Sequence, residues 1–236
     1  MAEAGSVCGR YVTVQTPESL AEAFAASLSE HAAAVAAPNY NVAPTDSVPA
    51  IRIREAHREL TAARWGFLPR WAKELKSRPQ PINARSDKLL GRMYAPAMLR
   101  HRMLLPATGF YEWEKLEDGS KQPYFVHSAD GEILTFAAIG SWWSDPGAQD
   151  PPPVLTVAIV TTDAGDQMRR IHARQPVLLA NDDERAAWLD TEGLRPPDVL
   201  DLVASDDDVP LVLRAVSTRV NNVRNQGPEL LEPLDA

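Results

Sequence analysis

The chain has 236 residues, 44% hydrophobic and 24% charged, with a net charge of −8 and one cysteine. That length buries a sizeable core without staples, a lone cysteine excludes an internal disulfide, and the acidic balance argues against a surface generally coated with nucleic acid. No apolar run approaches the ~18–20 residues that cross a bilayer, and the stretch "MAEAGSV" (1–7) has neither the basic nor the apolar region of a signal peptide, so a cytoplasmic protein is expected.

The single thiol, Cys8, follows that stretch at once, in "SVCGRY". Residues 17–37 read as a helix: Thr16 can cap it, Pro17 suits the first helical position, and the alanine-rich run favours helix. "VPAIRIR" (48–54) alternates like a strand, and "LTAARWGF" (60–67) is its expected partner. Residues 102–143 read as a strand meander, with Asp118-Gly119 and Asp130-Gly131 as its hairpin turns. The proline-rich 145–153 reads as a loop, 153–162 as a buried strand, 163–172 as a short helix and 175–180 as a strand. Asn181 caps a helix over 182–190, and 211–220 supplies a last strand. Consecutive strands with irregularly placed helices predict an α+β fold, mainly antiparallel, in one domain.

Charge is unevenly spread. Residues 51–102 hold thirteen Lys and Arg, Arg78 among them, against four acids, a local balance of +9 that leaves −17 for the rest. Such a segment can focus an anion site or form a solvated basic face. The five histidines show no metal-ligand spacing, and neither a glycine-rich phosphate loop nor a nucleophile-elbow motif is present. No metal or cofactor is expected.

Single residues leave two readings open. Glu112, between Tyr111 and Trp113, is a solvated strand carboxylate or a proton carrier facing away from the aromatics. His172 is a cation at a helix end or a titrating group. Asn83 and Arg85 share one side of an extended segment, and Cys8 is a small buried hydrophobe or a nucleophile.

Seven stretches in order carry a resemblance: "CGRY", "YNVAPT" (40–45), "RWGFLPRWAK" (64–73), "PINARSD" (81–87), "GFYEW" (109–113), "IHARQP" (171–176) and "VNNVRNQGPEL" (220–230). Together they resemble the SRAP family, the SOS response-associated peptidase domain. The resemblance implies a barrel-like antiparallel sheet system with flanking helices, here residues 8–236 behind a 1–7 extension. It also implies recognition of abasic sites in single-stranded DNA, with the lesion covalently captured by a cysteine exposed as the N-terminal residue. By that pattern Cys8 is the nucleophile, and Asn83, Glu112 and His172 line the active site. Gly9, Arg10, Arg85 and Arg174 match positions that hold DNA, with Pro44, Trp71 and Thr161 as further contacts. The family's second tryptophan after Trp71 is Ala72 here. The implied partner is single-stranded DNA bearing an abasic site, without membrane or metal, and nucleoid association follows when the DNA is bound.

An abasic deoxyribose opens to an aldehyde. An N-terminal cysteine offers it an amine and a thiol on adjacent carbons, enough to close a five-membered thiazolidine, and the second step is intramolecular. The expectation is therefore that "MAEAGSV" is absent from the active form. Either the chain cuts itself before Cys8, or translation begins at position 7, where valine is what an internal GTG codon spells. The second route is preferred. Two other functions stay open: a thiol peptidase built on Cys8, His172 and Glu112, and a non-catalytic single-strand-binding module using Trp71 and the arginines.

Overall fold

The computed structural model describes residues 8–76, 80–202 and 209–234; the 1–7 extension and Arg78 lie outside them. In chain order the strands are β1 (Arg10–Thr13), β2 (Ser27–Leu28), β3 (Asn39–Val42), β4 (Ser47–Arg54), β5 (His57–Trp65), β6 (Asn83–Arg85) and β7 (Arg102–Ala107). There follow β8 (Gly109–Lys115), β9 (Lys121–Ser128), β10 (Leu134–Trp143), β11 (Val154–Asp163), β12 (Arg174–Pro176) and β13 (Leu211–Ala215). The helices are α1 (Pro17–Ala23), α2 (Ala95–Arg100), α3 (Asp182–Leu189) and α4 (Pro196–Leu202).

Five strands close a barrel in the cyclic order β11-β10-β7-β4-β5. All neighbours are antiparallel except β5 and β11, whose short parallel pairing (Thr156 with Arg64, Val157 with Trp65) seals the ring. A second antiparallel sheet runs β13-β9-β8-β1-β3. Barrel strands alternate between two cores, as a period of two requires. Phe136, Ala138, Val157 and Ile159 pack with Cys8 and with Tyr11, Phe110 and Val126 of the second sheet. Ala137, Ile139, Ala158 and Val160 face Leu20, Phe24, Met98 and Trp188 under the helices. Burial on both sides explains why these strands read as unbroken apolar runs.

The expected helix over 17–37 is only α1. Its start follows expectation, with the Thr16 hydroxyl accepting the Ser19 N–H at 3.2 Å and Pro17 in the first turn. It stops because Ala25 turns left-handed (φ 48°) and Ala26 N–H closes back on Ala21 O at 2.8 Å. Ser27 and Leu28 then pair with Glu59 and Leu60 of β5, so a sheet edge captures residues whose propensity is helical.

The expected meander divides. β8 and β9 form the hairpin around Gly119 (φ 83°), but β7 pairs with β10 in the barrel. Asp130-Gly131 therefore turns the chain from one sheet to the other rather than closing a hairpin. Residues 164–172 make overlapping turns, not a helix, with Gly165 O accepting from both Met168 and Arg169. The expected strand at 175–180 is β12 plus a single bridge from Leu178 to Phe136. The last expected strand stops at Ala215, and a 3-10 turn follows at Thr218–Asn221.

The basic segment is partly consumed by structure. Arg102, only 2% exposed, donates to the carbonyls of Met98, Trp188, Asp190 and Leu194, tying β7 to the helices. Glu59 pairs with Arg52 and Arg54, and Arg58 holds Asp182.

Candidate functional site

The site lies where the second sheet meets the β11 side of the barrel. Cys8 precedes β1, and β1 pairs with β8 so that Arg10 sits opposite Tyr111. That register brings the backbone N–H of Cys8 to 2.9 Å from Glu112 Oε2. The other carboxylate oxygen accepts the Trp113 N–H at 3.1 Å. Glu112 is 2% exposed, so it is no solvated strand carboxylate. Burial pushes its carboxyl above the ordinary value, while the Cys8 N–H, His172, the Trp113 N–H and Lys121 pull the other way. The Cys8 thiol is fully buried, and that burial, with Glu112 beside it, pushes it well up. A thiol in that state is a poor nucleophile. Cys8 also holds a left-handed backbone, φ 46°.

His172 reaches Glu112 electrostatically from the turns between β11 and β12. Its Nδ1 lies 3.0 Å from the Arg174 backbone nitrogen and 3.2 Å from the Arg174 carbonyl oxygen, contacts that fix the ring. The Arg174 guanidinium is fixed on Thr161, 2.7 Å from its carbonyl and 2.6 Å from its hydroxyl. Desolvation, then the Arg85 charge, lowers the Arg174 guanidinium from its ordinary value.

β6 runs parallel to β11, with Asn83 beside Ile159 and Arg85 beside Thr161. Ala84 joins the core under the helices, so Asn83 and Arg85 face the Cys8 side. Arg85 is exposed and forked on Asp87 at 2.8 and 2.9 Å, which holds the Asp87 carboxyl down. Two bonds pin the chain leading into β6: Trp65 Nε1 to Ile82 O and Phe67 N to Pro81 O, each 2.9 Å. Trp71, 69% exposed, stands on the same connection.

Arg10 is placed differently from the other arginines. Its guanidinium donates to Asn41 Oδ1 at 2.8 Å and to the carbonyls of Val220 and Asn221 at 3.0 and 3.3 Å. Gly9 leads into it, half-buried, and the exposed Pro44 sits in the β3–β4 turn, anchored by Thr45 N to Trp65 O at 2.8 Å. The fold thus brings Cys8, Glu112 and His172 into one group and Arg85, Arg174 and Thr161 into a second, with Asn83 on β6 two residues before Arg85. Pro44 and Trp71 stand on neighbouring loops.

Asn41 escaped notice. It is buried, and its Nδ2 holds the carbonyls of Val220, Asn222 and Asn225 at 3.1–3.2 Å. The available signal was an asparagine inside a strand run, "YNVAPT". Asp87 escaped too, although it lies two residues after Arg85 within "PINARSD". Among the described residues, no cluster of three His, Cys, Asp or Glu could hold a metal, and no helix is long and apolar enough to cross a membrane.

The chain as a whole is similar to known proteins. The model of the family described as SOS response associated peptidase (SRAP) matches residues 7–223. The abasic site processing protein YoqW of Bacillus subtilis (strain 168) is 32% identical over 196 residues, covering 83% of this chain and 86% of that one. The abasic site processing protein YedK of Escherichia coli (strain K12) is 32% identical over 234 residues, covering 97% and 100%. A crystal structure of a Bacteroides thetaiotaomicron protein shares the fold with a TM-score of 0.82 at 20% identity, over 96% and 99% of the two chains.

Proposed function

The chain belongs to the SRAP family, and from that premise we propose that it captures abasic sites in single-stranded DNA covalently on Cys8. One observation carries the reading: the nitrogen of Cys8 lies 2.9 Å from a buried carboxylate oxygen of Glu112. A nitrogen, a thiol and a proton carrier thus meet at one residue.

With Cys8 as the first residue, its nitrogen is an amine with a reference pKa of about 7.7–8.0. The amine adds to the sugar aldehyde and gives a carbinolamine, which loses water to an imine. The thiol then adds to the imine carbon, its proton passing to nitrogen, and the ring closes. One water leaves overall. Glu112 takes the proton of the attacking amine and returns it to the departing hydroxyl, for which a carboxyl raised by burial is suited. His172 assists at the same oxygen. Asn83 orients the lesion, and Arg85 and Arg174 hold phosphates as forked donors. Gly9, Thr161 and Pro44 shape the strand's path, and Trp71 stacks on a base. Arg10, whose donors hold residues 220–221, braces that wall. The peptidase activity in the family's description falls to the same groups acting in cis, on the bond that joins residue 7 to Cys8.

The test is an oligonucleotide with one abasic site, read by denaturing electrophoresis. A chain beginning at Cys8 gives a heat-stable adduct, and Cys8→Ser gives none while keeping most of its affinity for the strand. A chain that retains residues 1–7, verified by intact mass, gives none either, because its Cys8 nitrogen is an amide. Equal adduct yield from that chain would overturn the mechanism.

A further inference from the structure

Where β10 begins there is a cavity of about 300 Å³, and its walls include Asp130, Glu132, Ile133, Thr135, Leu179 and Arg185. That volume is the small end of the range for ligand pockets. Cys8 packs with Phe136 and Ala138, whereas Thr135 shares the other side of β10 with Ala137 and Ile139, under the helices. The cavity thus faces away from the candidate site. Two buried polar atoms at it have no hydrogen-bond partner: Thr135 Oγ1, on a residue 1% exposed, and Arg185 Nε. Buried polar groups ordinarily find one. Arg185 is half-buried, lies over the Phe24 ring at 5.2 Å, and forms no ion pair or hydrogen bond through its side chain within the described residues. Burial lowers its guanidinium from the ordinary value, while the Asp182 charge pulls the other way.

The acids around Arg185 are engaged elsewhere or stand off. Asp182 is held by Arg58. Glu184 accepts from Ala180 N and Asn181 Nδ2 at 2.8 and 2.9 Å. Asp130 closes its own turn, one oxygen accepting from Ser128 Oγ and from Glu132 N. Glu132 is exposed, and its charge is felt at Arg185 without an ion pair between them. Opposite charges that line one cavity without touching suit a ligand that carries both. A polyanion would meet Asp130 and Glu132, and a simple cation would meet Arg185. A molecule with one carboxylate and one ammonium meets neither obstacle, and Ile133 and Leu179 offer its remaining part an apolar wall.

We propose that this cavity binds a free amino acid with an apolar side chain, its carboxylate accepting from Arg185 Nε and the Thr135 hydroxyl and its ammonium directed at Glu132 and Asp130. The ligand supplies the acceptor that the arginine lacks and the partner that the buried hydroxyl lacks. Because the cavity and Cys8 lie on opposite sides of β10, the proposal stands apart from the capture of lesions.

The experiment uses the full chain and the standard free amino acids, added one at a time, with melting followed by scanning fluorimetry and affinity by titration calorimetry. At about 10 mM, ~100-fold above a Kd of ~0.1 mM, at least one apolar amino acid should raise the melting temperature by roughly 5–10 °C, because it binds only the folded chain. The N-acetyl and amide derivatives of that amino acid each lack one of its two charges and should bind about tenfold more weakly or worse. Thr135→Val should weaken the parent amino acid about tenfold, yet leave the melting temperature of the free chain unchanged or raised, since it removes a buried hydroxyl that has no partner. Arg185→Lys keeps the charge but loses the Nε–H, and should weaken binding in the same way. Glu132→Gln, on an exposed residue where folding is not at stake, should weaken the parent and leave the N-acetyl derivative unaffected. No rise in melting temperature with any amino acid would overturn the proposal. So would equal rises in wild type, Thr135→Val and Glu132→Gln, the mark of general stabilisation by a solute, and so would derivatives that bind as well as the parent.

Discussion

Glu112 carries the sharpest test among the single residues, because its burial opposes stability while serving chemistry. In the folded chain desolvation raises its carboxyl above the unfolded value of about 4.3. The native state therefore holds that proton more tightly than the unfolded state, and stability falls as pH rises from about 4.3 through the folded-state value. Glu112→Gln removes this dependence. It should melt higher than the parent at pH 8, with a smaller advantage at pH 5, while forming the adduct ~100-fold more slowly, the lower end of what a positioned acid–base group supplies. Scanning calorimetry at the two pH values and a timed denaturing gel read both, and a variant that melts lower at pH 8 would show that the carboxylate braces the fold. Asp87 makes the opposite kind of prediction. It occupies the fork of Arg85 at 2.8 and 2.9 Å and puts a negative charge where a phosphate is to sit. Asp87→Asn should strengthen single-strand binding several-fold at low salt, with or without a lesion, as measured by anisotropy. Weaker binding would show that Asp87 is needed to aim Arg85. Residue types made Glu112 and Arg85 visible in the sequence. Asp87 was in the same motif, but only the fold shows that its carboxylate fills the fork.

At the level of elements, the β5–β6 connection that leads to the site is pinned by two hydrogen bonds, one of them from a side chain. Trp65 is fully buried, edge-on to Tyr11 at 5.2 Å, and its Nε1 donates to Ile82 O at 2.9 Å, the residue before Asn83. Trp65→Phe removes one of that carbonyl's two donors, the Ile159 N–H at 3.0 Å remaining, which costs about 0.5–1.5 kcal/mol, or about 2–4 °C of melting temperature for each kcal/mol at this size. Because that carbonyl precedes Asn83, adduct formation should slow below the melting transition as well. An unchanged rate with a lowered Tm would confine Trp65 to the core. The elements themselves were legible where the local pattern decided them: β4 and β5 from alternation, α1 and α3 from Thr16 and Asn181, the β8–β9 turn from Asp118-Gly119. They were not legible where a distant partner overrode propensity. The alanines after Phe24 favour helix, yet β5 draws Ser27 and Leu28 to its edge. Asp130-Gly131 has hairpin chemistry, yet the strands on either side belong to different sheets. The three residues of β6 are too few to show a period, and they are strand only because β11 lies beside them.

For the molecule as a whole, barrel closure and charge distribution set what the site can attract. Closure depends on the parallel β5–β11 pairing between residues some ninety positions apart (Arg64 with Thr156), which no local period encodes. Closure also decides which cations stay free: Arg102 and Arg58 are drawn inward to carbonyls and Asp182, while Arg70, Lys73, Lys76, Arg92 and Arg100 form no ion pair within the described residues. The described cations of residues 51–102 thus include internal ties, such as Arg102 and Arg58, and an unpaired set near Trp71 in sequence. Two opposite salt effects then compete. The net charge of −8 repels DNA, so if it governed encounter, added salt would speed association by screening that repulsion. A basic face whose field is local attracts DNA within about a Debye length, ~10 Å at 0.1 M, and screening it slows association. The local field should win, because at contact the strand lies within that length of Arg70, Arg85, Arg92 and Arg100, whereas much of the acidic balance belongs to residues outside 51–102. Stopped-flow association of a fluorescent single strand should therefore slow by about tenfold or more as salt rises from roughly 0.02 to 0.2 M. A rate that rises with salt would mean that the acidic body governs the approach, and that the basic face acts only after contact.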